Sequence, residues 1–214
     1  MKFSTMNRNT QVHIYAVGSF GASVAHVLRL YIPSLAITYS AEMGQVLDEP
    51  FSGAATDVLA VADPSVANTA AFSRLCYTRS SISIPLVLQP DSLWLGPVMG
   101  PRRGPCWHCA MRRYKQHTRP RDTGQPKAGN TQKEFPNLLP LVSSAIWHLI
   151  HVSQLRLSPA GFVWRMDLNN REIIGRKVIV VDRCDLCGLG RGGWDISTKQ
   201  MRESISYLYS DPAM

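Results

Sequence analysis

Val12-His13-Ile14-Tyr15-Ala16-Val17 runs directly into Gly18-Ser19-Phe20-Gly21, and an apolar pattern then continues to Tyr31. Val24, Val27, Leu28 and Tyr31 recur at helical spacing, so the stretch reads as strand, glycine turn and helix, the helix covering Ala22 to Tyr31. Pro33 stops that helix, and Leu35-Ala36-Ile37-Thr38-Tyr39 reads as a second strand. Strand, turn, helix and strand in this order open a parallel α/β unit.

Working outward, a loop rich in Gly, Pro and acids over residues 41–56 precedes Asp57-Val58-Leu59-Ala60-Val61-Ala62-Asp63, a buried strand ending in an acid. Asp63-Pro64-Ser65 has the chemistry of a helix start, and the helix is expected to run to Arg79. Ile84-Pro85-Leu86-Val87-Leu88 is a further strand, and Ser92 to Val98 suits a strand that extends the sheet. Residues 117–136, with Pro120, Gly124, Pro126, Gly129 and Pro136, read as an exposed or disordered crossover loop. The apolar face of Leu138, Leu141, Ile146, Leu149, Ile150 and Leu155 marks a long helix from Asn137 to Leu157, with Pro140 in its first turn. Strands at Gly161–Leu168 and Glu172–Val181 flank the turn dipeptide Asn169-Asn170. A glycine-rich linker from Gly188 to Gly193 leads to a tail helix around Thr198–Tyr209. The expected organisation is a short tail (1–11), one α/β domain (12–187) and the linker with its helix (188–214).

The 214 residues are 45% apolar and 18% charged, which excludes wholesale disorder. No apolar run approaches the ~20 residues of a membrane helix. The first residues lack the apolar centre of a signal peptide, so the expected location is cytoplasmic. The 23 basic and 15 acidic residues give a formal charge of +8. Seven of those charges lie between Pro101 and Pro136, where nine Lys and Arg face only Asp122 and Glu134. The excess is therefore one basic strip, suited to solvent or to an acidic peptide. A nucleic-acid surface is disfavoured, because the strip lacks aromatics interleaved with its basic residues, Tyr114 being the nearby candidate for base stacking.

Four of the five cysteines form two Cys-x-x-Cys pairs, Cys106-Trp107-His108-Cys109 and Cys184-Asp185-Leu186-Cys187. Two such turns can complete a closed four-cysteine site for structural zinc, tying the segment after residue 181 back to residue 106. A redox pair and unligated thiols are the competing readings, although a redox site needs only one pair. Covalent haem would need His after the second cysteine, where Ala110 stands. Cys76 lies in an amphipathic stretch and reads as a buried hydrophobe. His148 and His151 have no identifiable partners, and no nucleophile-elbow sequence is present.

The glycine turn is an incomplete nucleotide fingerprint. Gly18 fits the first position of G-x-G-x-x-G, but Phe20 and Ser23 occupy the other two, and Phe20 is expected to obstruct a phosphate.

In their order, these parts resemble the ThiF/MoeB-type superfamily of adenylyltransferases related to ubiquitin-activating enzymes. Within it they are most similar to the ThiF-like component of peptide heterocyclase systems. The resemblance rests on Leu95-Gly96-Pro97-Val98-Met99-Gly100 leading to Gly104-Pro105-Cys106-Trp107-His108-Cys109. It rests also on the long helix before Gly161-Phe162-Val163-Trp164-Arg165-Met166-Asp167-Leu168, and on Val178-Ile179-Val180-Val181 before the second Cys pair. It covers residues 12–187. It implies a Rossmann-like parallel sheet with a four-cysteine zinc site (Cys106, Cys109, Cys184, Cys187) and a long basic crossover loop.

The resemblance also implies a role. Such proteins partner YcaO cyclodehydratases, which use ATP to form azoline rings in ribosomally made peptides; the ThiF-like protein docks the precursor peptide and stimulates the enzyme without being the catalyst. The adenylation site here is degenerate: Gly18, Gly21 and Asp63 match it, Asp63 at the position of a Mg²⁺-contacting aspartate. Thr38-Tyr39-Ser40-Ala41 lacks the ribose-binding acid, so ATP is not expected on this chain. Longer relatives carry an N-terminal winged-helix module that captures the leader. Only about eleven residues precede the first strand, so the resemblance leaves leader binding open between this chain, a separate protein and the precursor–enzyme assembly. A homodimer is compatible with the resemblance. The alternative is an active adenylyltransferase acting on a peptide C-terminus.

Overall fold

The computed structural model describes residues 11–42, 56–63, 66–100, 104–117, 131–154, 160–181 and 184–187. Four helices and seven strands are present among them: β1 (Val12–Val17), α1 (Gly18–Tyr31), β2 (Ala36–Ser40), β3 (Thr56–Ala62), α2 (Val66–Arg79), β4 (Ile82–Leu88), β5 (Ser92–Leu95), α3 (Trp107–His117), α4 (Thr131–Gln154), β6 (Phe162–Asp167) and β7 (Ile173–Lys177). They form one sheet in the order β2-β1-β3-β4-β5-β6-β7.

The sheet corrects the expectation of a parallel one. β2, β1, β3 and β4 pair parallel, while β5, β6 and β7 add on antiparallel. Chain length between strands accounts for part of this. Three residues join β4 to β5 and five join β6 to β7, whereas a parallel crossover needs a dozen or more.

Strand alternation divides the core into two clusters, one on each face. Val12, Ile14 and Ala16 of β1, with Val58 and Ala60 of β3, pack beneath Phe20, Val24 and Leu28 of α1 and Val142, Ile146 and Ile150 of α4. Tyr15 and Val17, with Leu59 and Val61, face the other way against Phe72 and Cys76 of α2 and Trp107 and Met111 of α3. Burial on both faces explains why β1 and β3 are continuous apolar runs. Gly21 sets how closely α1 lies on the sheet: a Cβ there would stand 2.6 Å from both Ala16 C and Ala60 O.

Two helix boundaries differ from the sequence reading. α1 starts at Gly18, so no separate turn intervenes after β1. α4 starts at Thr131, inside the stretch read as crossover loop, and this places Pro136 and Pro140 within the helix. His117, the other end of that stretch, closes α3. The remainder of the basic loop, the linker from Gly188 and the tail helix lie outside the described residues.

Candidate metal centre and glycine-turn cavity

α3 begins between the first two cysteines, with Cys106 just before it and Cys109 in its first turn. Aromatic contacts hold this helix on the sheet. Trp107 meets Trp94 of β5 edge-on at 5.9 Å, and Tyr114 meets the same indole at 5.0 Å. The Arg165 guanidinium of β6 lies 5.6 Å from Trp94 and 5.3 Å from Tyr114, tethered by Asp167 at 3.7 Å. Sequence reasoning missed this trio, because the residues lie on three separate elements and show no local period.

After β7 the chain returns over the same face. Val181 N–H donates to Cys109 Sγ at 3.4 Å, and Cys184 N–H donates to Val181 O at 3.2 Å. The turn Cys184–Cys187 thereby meets the start of α3. Sulfur separations are 3.9 Å for Cys106–Cys109, 3.6 Å for Cys106–Cys184 and 3.4 Å for Cys109–Cys187. All four sulfurs lie within 4.8 Å of one another and all four residues are buried. Thiolates about 2.3 Å from a tetrahedral ion stand about 3.8 Å apart, so this donor set can hold a metal ion. Hydrogen bonding from Cys106 draws the Cys109 thiol down, while the same bond pushes Cys106 up. Cys187 is also raised, to about 12. Four thiolates packed this closely would need a cation among them.

Cys76 is buried, as expected of a hydrophobe, but it has a polar neighbour that the sequence did not suggest. Its Sγ lies 3.9 Å from Asp57 Oδ2, and Asp57 Oδ1 is buried without a hydrogen bond. Burial pushes the Asp57 carboxyl up to about 6, against the opposing pull of Ser81, Arg79 and Cys76. The available signal was an acid at the head of an apolar run, in register with His13 of β1 and Ser83 of β4.

A second site opens at the carboxyl ends of β1 and β2. A cavity of about 380 Å³ is lined by Ala16, Gly18, Ser19, Ala22, Tyr39, Ser40 and Ala41, none of them charged. Gly18 (φ +66°) would place a Cβ in open space, and Gly21 packs against backbone instead. Phe20 does not obstruct the cavity as expected. Once α1 starts at Gly18, Phe20 falls four residues before Val24 on its inner face and is buried in the core. Asp63 is exposed after β3 with φ +44°, its N–H donating to Leu88 O at 2.7 Å, and it is not among the cavity-lining residues.

No family model matches this sequence, and no curated protein matches it. Solved structures do. A heterocyclase in complex with substrate and cofactor is 18% identical, with a TM-score of 0.55 over 84% of this chain and 26% of its own. The heterocyclase TruD is 16% identical, with a TM-score of 0.53 over 84% of this chain and 28% of its own. MccB of E. coli, whose structure with ATP is also known, is 12% identical there, with a TM-score of 0.54 over 84% of this chain and 67% of its own. At these identities the likeness is one of fold. The chain spans about a quarter of the length of the two heterocyclases.

Proposed function

We propose that this chain is a ThiF-like, zinc-stabilised partner of a YcaO cyclodehydratase, docking a precursor peptide or stimulating the enzyme that forms azoline rings in it. The observation that carries the reading is a buried four-cysteine cluster in the same fold as a glycine-turn cavity whose described lining carries no charge. Cys106, Cys109, Cys184 and Cys187 would hold zinc. A closed four-thiolate shell leaves no position for water, so the ion's contribution is structural. Among the described residues the lining of the cavity offers no cation to neutralise a triphosphate, which weighs against adenylation by this chain. Likeness of fold to two heterocyclases and to MccB supports a place in peptide modification.

Reconstitution tests it. Precursor peptide, cyclodehydratase and ATP are combined with and without this chain, and loss of water from the peptide is followed by mass spectrometry. Faster ring formation with the chain supports the role; equal rates in both reactions refute it.

A second reading is favoured by one observation. Phe20 turns into the core and leaves the cavity open at Gly18 and Ser19, as an adenylyltransferase acting on a peptide C-terminus would need. That reading requires peptide-dependent exchange of pyrophosphate into ATP that disappears in Asp63→Ala. Absence of exchange with a peptide that the reconstituted system modifies removes it.

A further inference from the structure

β7 ends the sheet, and among the described residues nothing pairs with its outer edge. Asp167 N–H donates to Glu172 O at 2.9 Å and Val178 N–H donates to Gly161 O at 2.8 Å. This alternation turns the backbone of Ile174 and Arg176 toward β6. It leaves the N–H and C=O groups of Ile173, Gly175 and Lys177 directed outward. An unpaired edge of this kind is a template for another strand.

An apolar cleft of about 270 Å³ lies on the face to which Ile173 points, bounded by Leu141, Ala145 and His148 of α4 and by Trp164, Met166 and Ile173 of the sheet. Ile173 is 52% exposed and Leu141 47%. Phe162, 38% exposed, stacks on Trp164 at 5.5 Å and extends the apolar surface. Gly175 completes the arrangement: a Cβ there would stand 3.2 Å from the Trp164 indole, so its absence lets the ring lie over β7.

Charge identifies the occupant. Arg171, Arg176 and Lys177 are exposed along this edge, against Glu172 alone; Arg176 stands on the face opposite the cleft, and Lys177 closes the strand on the face of Ile173 and Gly175. Edge-to-edge pairing of two copies would bring both cationic sets to one seam, which is unfavourable. An acidic strand would be attracted by the same groups.

We infer that the β7 edge is a strand-addition site for an extended peptide alternating apolar and acidic side chains. In an antiparallel added strand, residues opposite Ile173 and Gly175 face the cleft and supply the apolar contacts. The residues between them stand on the face of Arg176 and supply the acids. Backbone pairing gives affinity, and the cleft and the cations give selectivity. The inference does not rest on the heterocyclase reading.

The test uses the full 214-residue chain and a fluorescently labelled peptide of three Leu-Glu repeats, blocked at its carboxyl end, with anisotropy as the readout. Saturable binding is expected. It should weaken at least tenfold with the Leu-Lys counterpart, with a peptide N-methylated at its leucines, and in R176E/K177E. The two peptide controls decide the matter even if that variant fails to fold. Absence of binding, equal affinity for the Leu-Lys peptide, or insensitivity to N-methylation would overturn the inference. So would a dimer in sedimentation that excludes the peptide. A chain that binds the peptide but leaves ring formation unchanged keeps this inference and removes the heterocyclase reading.

Discussion

The sulfurs of Cys109 and Cys187 lie 3.4 Å apart although the two residues are 78 positions apart in the chain. Between them in the chain lie α4 and the outer antiparallel strands β6 and β7. A metal ion here would close a long loop, so its binding energy becomes folding energy.

Metal content follows directly. The purified chain is expected to hold one equivalent of zinc by elemental analysis. Cys109→Ser and Cys187→Ser should each lose it and cost about 4–5 kcal/mol, the scale of losing a structural metal. In a chain of this size that lowers Tm by roughly 10–20 °C. Full zinc retention in both variants would rule out the four-cysteine site.

Asp57 makes a pH prediction of the opposite sign to ordinary acid denaturation. Its carboxyl sits near 6 in the folded chain against 3.8 for the ordinary group, so the folded state binds the proton more tightly. Its contribution to stability is therefore greatest below pH 3.8, falls as pH rises toward 6, and is level above. Asp57→Asn should remove that slope and leave the chain more stable than the parent at pH 7, by at most about 3 kcal/mol. Urea unfolding of both proteins from about pH 4 to 7 checks this; the informative quantity is their difference, because acid also protonates the metal-site cysteines. A difference that is flat across this range, or that favours the parent increasingly as pH rises, would show that Asp57 is not held up by burial.

Gly18 and Gly21 separate two uses of glycine. At Gly21 a methyl group would meet the backbone of Ala16 and Ala60 at 2.6 Å, and backbone cannot rotate away. Gly21→Ala should cost about 3 kcal/mol or more, at or beyond the upper end of ordinary overpacking. At Gly18 the space is open and only φ +66° is strained, so Gly18→Ala should cost about 1–2 kcal/mol. Equal unfolding midpoints for the two variants would contradict the close approach of α1 to the sheet.

The same two glycines show how far the sequence could be read. Strands β1, β3 and β4 were legible because burial on both faces makes them unbroken apolar runs between turn residues. The Cys-x-x-Cys spacing made the cluster legible, since each pair already places two sulfurs on one edge of a tetrahedron. The start of α1 was not legible. Counting the apolar period from Ala22 left Phe20 in the turn, aimed at a phosphate, whereas counting from Gly18 puts it in the core. The start of α4 was hidden because Thr131-Gln132-Lys133-Glu134 gives an apolar period nothing to register. Arg165 over Trp94 and Tyr114 could not be read at all: a contact among β5, β6 and α3 depends on the tertiary fold.

Val181 tests the surroundings of the metal site without touching a ligand. Its backbone N–H is the one described donor, outside the cysteines themselves, that reaches a cluster sulfur, at 3.4 Å from Cys109. Such a bond offsets charge on the sulfur and orients it, and losing an outer partner of this kind typically costs about 10–100-fold in metal affinity. Val181→Pro deletes the N–H, while Val181→Ala keeps it and trims the same buried side chain. Competition with a chromophoric chelator should show zinc leaving Val181→Pro at least tenfold more readily than Val181→Ala. Should the two release zinc alike, the side chain and not the hydrogen bond is what Val181 contributes.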